Sequence, residues 1–311
     1  MDDLAARITA VTDEPPTELC ELDGGEIGAV YRADFASGTP LVAKTSDATL
    51  TVEATMLRHL ADHGLPVPDV YHVEDDLLLL EFIDGDSTIT PDVEREMADH
   101  LAALHDTAAP AYGFDCDTLT GSLSQPNPWT ESWIEFYGEH RLRHAAEVAR
   151  ETGELPESMV ERVEELVSDL DSLVVEPDAP SLIHGDVWTT NVLESDGELR
   201  AFLDPAAYYA HSEVELAYMD WTNCVGNAFF ERYDERRGIE RDSNRAGTCT
   251  SSIRCSRTSF TSGRGICRNS TGRCRGWATE ASPKSRKFRA SPRSRTSVRR
   301  RVRTPSCAGG G

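Results

Sequence analysis

One lysine, Lys44, stands in the first 283 residues of this 311-residue chain. It closes Leu41-Val42-Ala43-Lys44, a run that reads as a short buried strand ending in a single ammonium. A lysine kept alone at such a place is suited to pair with phosphate. The plain alternative is a leftover surface lysine, and the motifs that follow weaken it.

The elements around Lys44 narrow the fold further. Residues 3–11 can form a short helix, and residues 18–22 a strand. Asp23-Gly24-Gly25-Glu26-Ile27-Gly28 then separates this strand from a second one over 29–35. With the turn Gly38-Thr39-Pro40, this makes a glycine-rich hairpin with the Lys44 strand beside it. Residues 51–63 read as a helix with Val52, Met56 and Leu60 on one face, and 70–73 and 77–82 as two more strands. Ile83-Asp84-Gly85 breaks the pattern.

Beyond the break, residues 91–107 form an amphipathic helix with Pro91 at its start and Val93, Met97, Leu101 and Leu104 on one stripe. Residues 108–128 read as a Pro/Gly-rich loop. Residues 129–150 and 157–173 read as helices, with Trp129 and Trp133 on one helix face and suited to core packing. Leu182-Ile183 leads into a loop. A small hairpin (192–194, 200–203) ends at Asp204, and helices follow at 213–225 and 228–236. The pattern predicts an α+β, two-lobed layout with the ligand cleft between the lobes. A small nucleotide-binding lobe, residues 1–83, has five strands and one helix; a larger, mainly helical lobe, residues 84–240, carries catalysis and substrate.

Charge divides the chain differently. Residues 241–311 hold 16 Arg and 2 Lys against Asp242 and Glu280, a balance of +16, while residues 1–240 carry −39. A body this anionic suits a soluble, monomeric, salt-adapted cytoplasmic protein of halophilic type; an ordinary acidic protein is the alternative. The tail, rich in Arg, Ser and Thr and too poor in apolar residues for a core, is expected to be disordered as written. It is either a genuine basic arm or the product of a shifted reading frame. The start, Met1-Asp2-Asp3, is unlike a signal peptide, and no run approaches the ~20 apolar residues of a membrane span. Cys20, Cys116 and Cys224 fit no metal-binding spacing and suit a reducing compartment.

The strongest chemical signal is His184-Gly185-Asp186-Val187-Trp188-Thr189-Thr190-Asn191. Its Asp-x4-Asn spacing is that of a phosphotransfer loop, in which Asp186 accepts the proton of an attacking hydroxyl and Asn191 coordinates Mg²⁺. Asp204, at the end of the hairpin, is placed for the second metal-binding carboxylate. Such a set answers one need: a phosphoryl group in transfer bears dispersed negative charge, which metal ions and a lysine neutralise. Glu53, on the helix after Lys44, is the candidate partner of the ammonium. Gly24, Gly25 and Gly28 would let backbone N–H groups approach phosphate. His184 and His105 read as structural hydrogen-bonding residues, and Trp188 as either core or substrate-facing.

These motifs together resemble the fructosamine (ketosamine-3-) kinases, within the wider aminoglycoside-phosphotransferase and protein-kinase-like fold. The loop from His184 to Asn191 is similar to that family's HGDLWSGN. The run from Asp204 through Tyr208-Tyr209-Ala210-His211 to Glu215-Leu216-Ala217 is similar to its DPA-x-YYGH-x-E-x-ELA. Gly121-Ser122, Gln125-Pro126-Asn127 and Trp129 match its GS-x-x-QPN-x-W, and Gly24-Gly25 through Tyr31-Arg32 its nucleotide loop. The resemblance spans about residues 1–238. It implies an ATP- and Mg²⁺-dependent kinase acting on the sugar 3-hydroxyl of ketosamines, free or protein-bound, in deglycation repair. Trp188, His211 and Trp129 are then candidate substrate-side residues. Departures are Gly28, where a polar residue is common, Ala210 for glycine, and everything after about Gly238. Two alternatives stay open: a kinase of another small hydroxyl substrate such as an aminoglycoside or amino sugar, and an inactive nucleotide- or nucleic-acid-binding protein using the basic tail. Without a genuine tail, no nucleic-acid partner is expected.

Overall fold

The computed structural model describes residues 1–22, 28–47, 50–120 and 123–239. Gly24, Gly25, Gly121, Ser122 and the tail 241–311 lie outside the described residues. The chain opens with helix α1 (Asp2–Thr12), followed by strands β1 (Glu18–Leu22), β2 (Ala29–Asp34) and β3 (Leu41–Thr45). Helix α2 (Leu50–Asp62) and strands β4 (Val70–Val73) and β5 (Leu77–Glu81) complete the smaller part. The five strands form one antiparallel sheet in the order β1-β2-β3-β5-β4, with Lys44 level with Val30 on one side and Leu78 on the other.

One helix was expected beside this sheet, and two cover it. Leu4 and Ile8 of α1 pack on the face that carries Ala33, Leu41, Ala43, Leu77 and Leu79. Leu50, Ala54 and Leu57 of α2 pack with Val42, Leu78 and Leu80. Because both faces are covered, β5 is a continuous apolar run rather than an alternating one. Leu77, Leu78 and Leu79 are fully buried and Leu80 nearly so, each contributing roughly 2 kcal/mol by burial. Strand alternation then puts Lys44 on the same face as Val42, toward α2.

The larger part is built on α3 (Pro91–His105). Thr90 caps it by accepting the Val93 N–H, Pro91 occupies its first turn, and Val93, Met97, Leu101 and Leu104 are buried, as their spacing predicts. Two short strands, β6 (Thr118–Thr120) and β7 (Leu123–Gln125), pair within the segment expected to be only loop.

The long helix expected over 129–150 is shorter and interrupted. Thr130 and Tyr112 exchange both backbone hydrogen bonds at 2.9 Å, which keeps Pro128–Thr130 extended. The Ser132 side chain then caps α4 (Trp133–Tyr137), so Trp129 lies outside the helix. It is 47% exposed, whereas Trp133 is buried. A π-helical turn (Gly138–Arg143) leads into α5 (His144–Glu151), and α6 (Glu157–Ser168) and α7 (Leu170–Leu173) replace the single helix expected over 157–173.

Strand β8 (Ser181–Ile183) follows where a loop approach was expected. Hairpin strands β9 (Val192–Ser195) and β10 (Glu198–Phe202) come next, then β11 (Tyr208–Ala210), which pairs antiparallel with β8. Helices α8 (Ser212–Thr222) and α9 (Asn227–Arg236) end the described chain. Buried Glu94 of α3 accepts the N–H groups of Gly226 and Phe229, anchoring the start of α9 on the central helix.

Candidate active site

Lys44 reaches across from β3 to two carboxylates. Its ammonium is 2.6 Å from Glu53 Oε1 on α2 and forms a second ion pair with Asp204 Oδ1. Lys44 and Glu53 are mostly buried and Asp204 is about half exposed. Burial alone would lower the Lys44 pKa, but the charges of Glu53 and Asp204 outweigh it and raise the pKa, so the amine stays charged.

The β9–β10 hairpin brings Asn191 and Asp204 to one end. Asn191 immediately precedes β9, Asp204 lies just beyond β10, and Val192 is level with Phe202. The Leu203 N–H donates to the Asn191 carbonyl at 2.9 Å, closing the hairpin. Asp204 adopts a left-handed backbone (φ 52°), a conformation that non-glycine residues hold mainly where the surroundings impose it. Asn191, nearly fully buried, donates from Nδ2 to the Asp186 carbonyl at 3.0 Å and to Asp186 Oδ2 at 3.1 Å.

Asp186 sits in a tight bend. Gly185 has φ +86°, and a Cβ there would stand 2.1 Å from the Ala206 carbonyl oxygen, so only glycine fits. The Ala206 N–H donates back to the His184 carbonyl at 2.9 Å. His184 is fully buried, and its Nδ1 accepts the Asp186 N–H at 3.3 Å, a structural role of the kind expected. Burial raises the Asp186 pKa above its ordinary value, against hydrogen bonds from Tyr218 and Asn191 that favour the ionised form.

Helix α8 grips this loop from below. Buried Glu215 accepts the Gly185 N–H at 2.6 Å and the His184 N–H at 3.3 Å. It also bonds His105 Nε2 at 2.8 Å, and the other ring nitrogen of His105 bonds the Tyr233 hydroxyl at 2.7 Å. Burial works to raise the Glu215 pKa, but these bonds and the nearby imidazoles hold it below its ordinary value. One turn further, the Tyr218 hydroxyl donates to Asp186 Oδ1 at 2.8 Å. Both oxygens of Asp186 thus accept a protein donor.

The structure therefore assembles Lys44, Glu53 and Asp204 into one cluster and Asp186 with Asn191 into another, Asp204 lying on the hairpin that ends beside Asn191. Gly28 (φ +93°) stands at the head of β2, where a Cβ would lie 2.1 Å from the Thr45 carbonyl oxygen next to Lys44. Glycine at this position avoids that contact. Trp188 packs partly buried against the main core. His211 is buried and turned inward: its Nδ1 accepts the Glu213 N–H and caps α8, and burial lowers its pKa to about 4. Trp129 lies 5.9 Å from the Tyr209 ring, outside both clusters. Sequence reasoning assigned no role to Gly185, Glu215 or Tyr218. A glycine directly before the loop aspartate was a signal for Gly185; Tyr218 on a helix face carries none that separates it from a core aromatic.

An antiparallel five-stranded sheet with a lysine–glutamate ion pair, set against a helical part bearing an Asp-x4-Asn loop and a hairpin-borne aspartate, defines a kinase-like phosphotransferase fold. The fructosamine kinase family profile matches residues 1–246, and the chain belongs to that family. It is 37% identical over 142 residues to a probable ketoamine kinase of Synechocystis, covering 44% of this chain and 46% of that protein. It is 32% identical over 164 residues to a chloroplastic protein-ribulosamine 3-kinase of Arabidopsis thaliana, covering 50% and 48%. The chain thus spans about half the length of these curated relatives. A solved structure from Thermobifida fusca, provisionally assigned as a fructosamine-3-kinase, superposes with a TM-score of 0.71 at 30% identity, covering 78% of this chain and 86% of that one. Aminoglycoside phosphotransferase APH(4)-Ia, solved in a ternary complex with AMP-PNP and hygromycin B, shares the fold at a TM-score of 0.55 and 17% identity, over 77% of this chain and 85% of that one. Among the described residues, no helix is long and apolar enough to cross a membrane.

Proposed function

We propose that this chain is an ATP-dependent kinase that phosphorylates the sugar 3-hydroxyl of a ketosamine, a fructosyl- or ribulosyl-amine, in deglycation repair. The supporting observation is the Asp186 carboxylate, oriented through both oxygens beside Asn191 on the hairpin that ends at Lys44-paired Asp204. Asp186 takes the proton of the attacking hydroxyl. Lys44, oriented by Glu53, pairs with nucleotide phosphate, and Gly28 would let the backbone approach it, with Gly24 and Gly25 the further candidates from the sequence. Asn191 and Asp204 supply hard oxygen donors, a set that suits Mg²⁺, which favours one or two carboxylates together with phosphate and water. Bound there, the metal ion would neutralise phosphate charge. Trp188 and the exposed Trp129 are the substrate-side candidates; buried, capping His211 is better suited to holding α8. We place the protein in a salt-rich cytoplasm as a monomer.

The test is phosphorylation of fructosyl- and ribulosyl-amines with Mg²⁺ and ATP. Wild type should turn over at least one of them, and Asp186→Ala should lose roughly 10²- to 10⁴-fold in kcat. Turnover of aminoglycosides and of no ketosamine would overturn the substrate assignment.

A further inference from the structure

We propose that Tyr218 is a positioning residue for Asp186, fixing the orientation in which that carboxylate meets the substrate hydroxyl; the inference rests on the kinase reading above. A carboxylate on a short side chain can rotate about two torsions, and a single hydrogen bond leaves one of them loose. Here two donors from separate elements close both. Asn191, on the loop itself, takes Oδ2, and Tyr218, on α8, takes Oδ1. Each carboxylate oxygen offers about two acceptor directions. One on each is filled by the protein, which leaves one on each oxygen open to an incoming hydroxyl.

The placement of Tyr218 on its helix strengthens the inference. Glu215 and Tyr218 are three residues apart on α8 and so share a face. Glu215 holds the backbone N–H groups of His184 and Gly185, while Tyr218 holds the side chain of the next residue. Just beyond α8, the Cys224 thiol donates to the Val187 carbonyl at 3.7 Å. One helix and its C-terminal turn thus fix four consecutive residues, 184–187, and Tyr218 alone among these contacts touches the reacting group. The bond, at 2.8 Å, has the ordinary length of a well-formed O–H···O hydrogen bond. Its part is geometric.

Tyr218→Phe removes the hydroxyl and little else. It should lower kcat roughly 10- to 100-fold, the range for a hydrogen bond to a charged group. KM for ATP should be unchanged, because the Lys44–Glu53 side is untouched. The decisive measurement is a double-mutant cycle with Asp186→Ala, followed by radiolabelled phosphate transfer. If Tyr218 acts through Asp186, adding Tyr218→Phe to Asp186→Ala costs less than about twofold more. An equal loss in both backgrounds, or wild-type kcat in the single variant, overturns the proposal. The same cycle run on slow ATP hydrolysis by the protein keeps the two readings apart. Failure on every ketosamine sinks the substrate assignment, while the hydrolysis cycle still reads the coupling between Tyr218 and Asp186.

Discussion

The two halves of the site are built on different principles. On the sheet side, Lys44 and Glu53 lie nine residues apart in the chain. A strand period of two and one turn of a neighbouring helix suffice to bring them together. On the loop side, Asp186 depends on partners far along the chain: Tyr218 is 32 residues away, Glu215 is 30 residues from Gly185, and Ala206 closes the bend under Gly185. The Lys44–Glu53 pair is a local device resting on a core closed by α1 and α2, and only Asp204 reaches it from afar, 160 residues along the chain. The loop side is a keystone, where side-chain geometry and lobe stability are the same contacts. Chemistry and stability should therefore separate on the first side and move together on the second.

The largest effect should come from the bend itself. Gly185→Ala forces a Cβ against the Ala206 carbonyl at a positive φ, and should destabilise the protein by about 3 kcal/mol while nearly abolishing turnover. Thermal unfolding should show a drop of roughly 10 °C. A variant that kept its melting temperature would break the keystone picture. On the sheet side, Lys44→Arg keeps the charge but not the compact point-charge geometry. Phosphoryl transfer should fall by roughly 100-fold with the melting temperature moved by less than about 2 °C; a large stability loss would erase the contrast.

The smallest effect sharpens the comparison through pH. The folded pKa of Glu215 is depressed, so its contribution is fully present above the unfolded glutamate pKa of about 4.3 and is lost as pH falls through the lower folded value. Glu215→Gln should cost about 2 kcal/mol at neutral pH. The gap between variant and wild type should narrow below about pH 4 in chemical-denaturation curves. A gap that stayed constant with pH would show that the charge of Glu215 has no part in holding the loop.

The local half of the site was legible in the residues. Leu41-Val42-Ala43-Lys44, the stripe Val93–Met97–Leu101–Leu104, and the paired ends of the hairpin before Asp204 each follow from short-range periodicity. The misread places share a cause. Trp129 has the helical spacing of Trp133, but backbone pairing with Tyr112 draws its segment into an extended strip. Leu182-Ile183 has no alternation to reveal that β11 pairs with it. The second helix on the sheet was visible as a helix, but its packing against Ala33, Leu41 and Leu79 was not. Each of these depends on a partner distant in sequence, which spacing cannot report.

The Asp-x4-Asn spacing, the lone lysine and the apolar periods determined the class of fold and pointed to the candidate reacting groups, because those features are set within a few residues of chain. Only the tertiary structure decided how Asp186 is aimed. The donors on its two oxygens come from its own loop and from α8, and the acceptor beneath its backbone is Glu215 on that same helix. A tyrosine on a helix is apolar surface to the sequence; it becomes a hydrogen-bond donor to Asp186 only once folding has placed the two 2.8 Å apart.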